Sequence, residues 1–136
     1  MVQESARFSL TDDLKAIETL REQELHAFNT GDAKSYLSLL TDDIVFDSWN
    51  RPAVVGIEAS RGLMDILFTK ADFYATYNPE DVVVSGDFAF DRGLWYERMT
   101  LKSNGEETNE VYGTLQIYAR GEGGRWRLAR SIWNKE

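Results

Sequence analysis

The feature that most constrains this chain is the order of its patterns: helical periodicity comes first and strand-like alternation second. Leu14, Ile17, Leu20, Leu25 and Phe28 recur at helical spacing and form one apolar stripe. Thr11-Asp12-Asp13 places acids where a helix start favours them, and Gly31 fits a C-terminal cap. Asp32 suits the N-cap of a short second helix running to Leu40, with Tyr36, Leu37, Leu39 and Leu40 as its apolar members. Ile44 to Trp49 reads as a strand that Arg51-Pro52 ends. Gly56 precedes a third helix, from Ile57 to Thr69. Four β-rich runs follow: Phe73 to Val84, broken near Asn78-Pro79, then Phe88 to Leu101, Thr108 to Ala119 and Trp126 to Trp133. Turn signals at Ser85-Gly86-Asp87, Ser103-Asn104-Gly105 and Gly121 to Gly124 separate them. Three helices ahead of an antiparallel meander predict an α+β class. The expected shape is a cone-shaped α+β barrel, a strongly curved, mostly antiparallel sheet around the helices, with a pocket at its centre.

The chain's 136 residues suit a single domain spanning 1–136, with a flexible N-terminus of about ten residues. Hydrophobic residues make up 43%, enough for a real core. The balance of 15 Lys+Arg against 23 Asp+Glu leaves a net charge of -8. A nucleic acid or an anionic membrane needs a basic footprint, so neither is expected as a partner. Without Cys and with one His, thiolate nucleophiles, disulfides and multi-histidine metal sites are excluded. No Asp-x-Asp-x-Asp-Gly loop is present, and no metal or organic cofactor is expected. The first residues, with Gln3, Glu4, Ser5 and Arg7, lack the apolar stretch of a signal peptide, and no run reaches membrane-spanning length. A cytoplasmic protein is the expectation.

Several segments together resemble a known family. Ala27-Phe28-Asn29-Thr30-Gly31-Asp32, Leu39-Leu40-Thr41-Asp42-Asp43-Ile44-Val45-Phe46, Val55-Gly56-Ile57-Glu58-Ala59 and the closing Gly124-Arg125-Trp126-Arg127-Leu128 with Ile132-Trp133 look like the SnoaL-like branch of the nuclear transport factor 2-like superfamily. The likeness runs from Asp12 to Trp133. Each motif alone is weak; their order and spacing are what carry it. Relatives include polyketide cyclases, ketosteroid isomerases, dehydratases, epoxide hydrolases and non-catalytic modules, so the resemblance implies a fold more firmly than an activity.

The first stripe contains an inconsistency. Glu24 falls near the middle of the arc of Ile17, Leu20 and Phe28, and Arg21 shares that arc. A carboxylate facing a core is costly unless paired or protonated. Either Glu24 faces a cavity, where burial lifts its pKa and suits it to proton transfer, or it is a structural ion with Arg21, or it is wetted at a helix edge. His26 points away from the stripe toward solvent.

Strand alternation separates two faces. Tyr112, Thr114 and Gln116 share one face of their strand, and Ser131 and Trp133 one face of the last. By the resemblance these faces line the cone, and so do Phe90, Arg92, Leu94, Tyr96 and Arg98. Val111, Leu115, Ile117, Leu128 and Ile132 would then lie outside, covered by a second copy in a homodimer. The reversed assignment, with the apolar side against the helices, remains open. Measured against the ketosteroid isomerase pattern, the oxyanion tyrosine falls at Glu24, the general-base aspartate at Ser48 beside Asp47, and the oxyanion aspartic acid at Gln116. All three differ, so that isomerase chemistry is not expected.

Two functions follow. In the first, the chain is a small-molecule pocket protein that catalyses proton transfer next to a carbonyl of a cyclic or aromatic compound. Glu24 is then the acid or base, Gln116, Tyr96 and Arg92 orient and polarise, and Phe28, Trp49, Leu63, Tyr112 and Trp133 line the site. The resulting reaction would be an isomerisation, cyclisation or dehydration. In the second, it is a non-catalytic dimeric module that binds a ligand or a protein partner. An open cavity with Glu24 free of arginine favours the first; a filled cone with a salt-bridged Glu24 favours the second.

Overall fold

A computed structural model describes residues 9–136. The expected flexible N-terminal segment lies almost wholly outside these residues. Helix α1 spans Leu10–Thr30, beginning just ahead of the expected Thr11-Asp12-Asp13 start, because the Ser9 side chain caps it by accepting from the Asp12 amide. Gly31, at φ 66°, ends α1 in the left-handed conformation that glycine adopts without cost. Helix α2 is Ala33–Ser38, capped by Asp32, and ends before Leu40. Leu40 already belongs to strand β1, Leu40–Ser48. Next come β2 (Arg51–Val55), α3 (Ile57–Lys70), β3 (Ala71–Ser85), β4 (Phe88–Leu101), β5 (Glu107–Arg120) and β6 (Trp126–Lys135). The β2 strand was not expected: Arg51-Pro52, read as the end of a strand, also opens a new one. Proline is tolerated there because β2 is an edge strand.

The sheet order is β2-β1-β6-β5-β4-β3. All neighbours are antiparallel except β1 and β6, which run parallel. Three helices pack on this six-stranded, mostly antiparallel sheet in the expected cone arrangement. The sheet does not close, so the cone is open-edged, with β2 and β3 as edges. The irregularity expected at Asn78-Pro79 is a register shift between Pro79 and Asp81.

Helix α1 lies in the hollow of the sheet. Its buried residues are Asp13, Ile17, Leu20, Glu24, Ala27 and Phe28, so the stripe is rotated from the expected one: Leu14 is exposed and Asp13 is inside. Asn29 docks its C-terminal end, accepting from the Ala75 amide at 2.7 Å and donating to the Ala75 carbonyl at 3.0 Å. Phe28 anchors the aromatic core, with ring centroids 4.7 Å from Phe73, 5.5 Å from Trp95 and 5.8 Å from Phe68.

Two face assignments change. Antiparallel partners share a face, and Asp91 pairs with Gln116 while Gly93 pairs with Thr114. Since Gln116 and Thr114 point inward and are buried, the inward set on β4 is Ala89, Asp91, Gly93, Trp95, Glu97 and Met99. Phe90, Arg92, Leu94, Tyr96 and Arg98 therefore face outward, opposite to the expectation. On β6 the register slips, because Ile117 pairs with Arg130 but Tyr118 pairs with Leu128. That slip brings Leu128 into the core while Ser131 still faces the hollow.

Candidate functional site

Toward the C-terminal half of α1 the helices and sheet line a cavity of about 260 Å³. Its walls come from every layer: Glu24 and Phe28 of α1, Tyr36 of α2, Phe46 and Ser48 of β1, and Leu63, Met64 and Leu67 of α3. Phe73 of β3 contributes, as do Trp95, Glu97 and Met99 of β4, Tyr112, Thr114 and Gln116 of β5, and Ser131 and Trp133 of β6. The turn Trp49-Asn50 and the start of β2 at Arg51 complete the lining, with exposed side chains that form the rim. Trp49 leans on Tyr112 with ring centroids 5.9 Å apart, and the Arg51 guanidinium sits 5.9 Å from the Trp133 ring.

Glu24 is almost fully buried and holds two neutral donors. The Tyr36 hydroxyl donates to Oε2 at 2.8 Å, and the Gln116 amide donates to Oε1 at 3.2 Å. No cation lies within ion-pair distance of it among the described residues. Burial pushes its pKa up to about 7; the hydrogen bonds from Tyr36 and Gln116 act in the opposite direction but do not offset it. Tyr36 is held well above its ordinary value by burial and by Glu24, so it stays a donor. Around neutral pH the Glu24 carboxyl therefore exists in both protonation states, the condition for giving and taking a proton.

Arg21 does not pair with Glu24. It turns instead to Asp91, with Nε 3.0 Å from Oδ2. Asp91 also accepts from the hydroxyls of Tyr77 and Tyr118, each at 2.6 Å. This pairing removes the only arginine on the α1 stripe and leaves Glu24 to the cavity.

Of the nine residues singled out from sequence, seven line this cavity: Glu24, Phe28, Trp49, Leu63, Tyr112, Gln116 and Trp133. Tyr96 and Arg92 do not. Both point outward from β4, and Arg92 is bound at the surface to Asp81, 2.7 Å away. His26 is exposed, as its wheel position implies. The positions aligned with the ketosteroid isomerase triad, Glu24, Ser48 and Gln116, all line the same cavity even though none keeps the isomerase residue.

Sequence reasoning missed Glu97 and did not single out Tyr36 for chemistry. Glu97 accepts from the Trp95 indole N–H at 3.0 Å and is pushed above the usual carboxylate range, first by burial. The sequence carries no signal for it: only the pairing of β4 with β5 in the structure places Glu97 opposite Glu110 on the inward face. Tyr36 had a local signal: a tyrosine in an otherwise apolar stretch needs a partner for its hydroxyl.

Among the described residues there is no cluster of His, Cys, Asp and Glu able to hold a metal, and no helix is long and apolar enough to cross a membrane. A search of curated protein sequences gives no match. Solved structures do match. A ketosteroid isomerase-like protein from Erwinia carotovora atroseptica SCRI1043 is 30% identical, with 91% of this chain and 96% of that chain covered and a TM-score of 0.82. A conserved protein from Planctomyces limnophilus DSM 3776 is 26% identical over the same shares, with a TM-score of 0.85. Hexachlorocyclohexane dehydrochlorinase LinA-type3 from Novosphingobium barchaimii LL02, 16% identical over 91% of this chain and 86% of that chain, shares the fold at a TM-score of 0.78. Residues 22–129 match the family described as SnoaL-like domain. With its sequence matched over most of its length and its fold shared with nuclear transport factor 2-like proteins, the chain belongs to the SnoaL-like family.

Proposed function

We propose that this protein is a cofactor-independent enzyme that moves a proton next to the carbonyl group of a compact cyclic or aromatic compound. The observation that carries this reading is Glu24: a carboxyl with no ion pair among the described residues, lifted to about 7 by burial, on the wall of a mostly apolar cavity. In the ionised form Glu24 takes a proton from the carbon adjacent to the carbonyl, and the proton returns at another position or the resulting enolate expels a leaving group. Tyr36 and Gln116 hold the carboxylate in place while it is charged. The aromatic walls, Phe28, Phe73, Trp95 and Trp133, suit a flat ring. Tyr96 and Arg92 have no part in this chemistry, because they face away from the cavity.

The class can be tested without knowing the substrate. Cyclic and aromatic ketones are incubated with the protein in deuterated water, and loss of the proton signal beside the carbonyl is followed by NMR. Exchange above background that rises with pH through a midpoint near 7 and disappears in Glu24→Gln supports the assignment. Exchange unchanged in that variant would remove Glu24 from the mechanism. A panel that binds but never exchanges would favour the non-catalytic ligand-binding module.

We also propose that two copies pair through the outer sheet face. Phe90, Tyr96 and Ile132 are exposed there, alongside the half-buried Val111, Leu115 and Ile117. Such an apolar patch on a sheet favours a covering partner. Light scattering should report a dimer at micromolar concentration and a shift toward monomer in Tyr96→Glu; a monomeric parent protein would overturn the pairing.

A further inference from the structure

The cavity holds two carboxyl groups, and only one of them has a role in proton transfer. Glu97 lies on its wall with one oxygen, Oε1, bound to the Trp95 indole at 3.0 Å. No hydrogen bond or ion pair engages its other oxygen, and no cation stands within ion-pair distance of it among the described residues. Its cross-strand partner is another acid, Glu110, which is itself held by Lys135 at 3.2 Å. Like charges directly opposite on a sheet are destabilising, and a half-buried carboxylate without a cation adds to that cost. Lys135 engages Glu110 and leaves Glu97 uncompensated.

One further acceptor of the cavity is unengaged. Gln116 is 1% exposed, and its Oε1 is a buried acceptor without a partner. Both oxygens of Glu24 are acceptors when it is ionised. The one arginine on the lining, Arg51, sits at the exposed rim over Trp133 rather than in the interior. The interior therefore offers two carboxyls, a free amide acceptor and neutral hydroxyls among aromatic side chains, with no interior cation among the described residues. An anionic ligand would meet two carboxyls and no buried cation. A protonated amine would find a charge partner in Glu97, with Trp95 and Tyr112 as aromatic neighbours on the same lining.

We infer that Glu97 is the specificity-determining residue of this cavity, selecting ligands that carry a protonated amine beside an aromatic or cyclic body. The inference rests on the cavity being a ligand site, as the proposed function does, but not on Glu24 acting as acid or base. Glu97 anchors the cationic end near Trp95 and Tyr112, and the apolar body extends toward Phe28 and Glu24. The general acidity of the chain, net -8, adds attraction for a cation at long range.

A matched trio of probes separates these possibilities: 2-naphthylmethylamine, 2-naphthylmethanol and 2-naphthoate, with binding followed by calorimetry at constant ionic strength. The parent protein should bind the ammonium at least tenfold more tightly than the alcohol, and the carboxylate most weakly. In Glu97→Gln the ammonium should fall to the level of the alcohol, whose own affinity stays within twofold. In Glu24→Gln the ammonium preference should persist. Unaltered alcohol binding in Glu97→Gln shows that the variant keeps its cavity. Equal affinities for the three probes, or an ammonium preference that survives Glu97→Gln, would overturn this inference and leave the proton-transfer reading standing. Failure of all three to bind the parent would overturn this inference, while exchange in the ketone panel decides the proton-transfer reading separately.

Discussion

The two ends of the hollow treat buried charge in opposite ways. Toward the N-terminal half of α1 each acid has a cation. Asp13 pairs with Arg120 and also accepts from the Trp126 indole, and the Arg120 guanidinium stacks over that ring at 4.5 Å. Asp91, a little further along, has Arg21 and two tyrosine hydroxyls. Toward its C-terminal half Glu24 and Glu97 have only neutral donors, and a cavity lies beside them. Gly93 marks the border on β4, between Asp91 and Trp95. A Cβ there would come within 2.3 Å of the Asn78 carbonyl oxygen and 2.9 Å of Tyr77, the residue that crosses the border to reach Asp91. A structural acid and a functional one can thus be told apart within the same core. Burial alone does not separate them; the presence or absence of a compensating cation does.

The largest effect expected from breaking this contrast is at the paired end. Asp91→Ala leaves the Arg21 guanidinium and two tyrosine hydroxyls without their acceptor, and it should cost about 3–5 kcal/mol in urea unfolding. Removing the charge at the unpaired end should do the reverse. Glu24 has a folded pKa near 7, raised above its unfolded value of 4.5, so the folded state holds the proton more tightly. Its contribution is fully present below the unfolded value and is lost as pH rises through 7. Glu24→Gln mimics the protonated form, so at pH 8 it should be more stable than the parent by about 3 kcal/mol, with the gap closing below pH 4.5. Unfolding curves at the two pH values check this.

Smaller effects sharpen the border. Gly93→Ala should destabilise by about 1–3 kcal/mol, because the added methyl meets backbone that cannot yield. Tyr36→Phe deletes a hydrogen bond to the charged form of Glu24, so the midpoint of any Glu24-dependent activity should move to higher pH. Stability at pH 8 should fall by about 1 kcal/mol. Least of all, Arg92→Ala, on the outer face, should change stability by no more than about 0.5 kcal/mol and leave exchange activity untouched. A large loss of activity in that variant would mean that the β4 faces are assigned wrongly.

Much of this arrangement was legible in the sequence, for identifiable reasons. The elements of the meander were marked by Gly-containing turns and by strand alternation; alternation grouped Gln116 with Tyr112 and Thr114, and the family resemblance turned that face inward. Glu24 stood out because a charge interrupted an apolar arc. The inward face of β4 did not show itself, since both of its faces mix aromatic and charged residues. Phe90, Leu94 and Tyr96 look more like an interior than Asp91, Gly93 and Glu97 do. Only the pairing register across the Ser103–Gly105 turn decides between them, and a five-residue loop does not declare its register in sequence. The β6 slip was hidden for the same reason, because Ala129 is compatible with either phase. The partner of Arg21 was equally out of reach: it lies on β4, seventy residues away along the chain, and is visible only once that face is known.

The central claim is that Glu24 is an unpaired carboxyl poised near neutrality on the wall of the cavity. Its titration can be followed directly by the side-chain carboxyl resonance of ¹³C-labelled glutamate, assigned by its disappearance in Glu24→Gln. A midpoint near 7 is the predicted result. A midpoint at the ordinary glutamate value would contradict it, returning Glu24 to the company of the structural acids at the paired end.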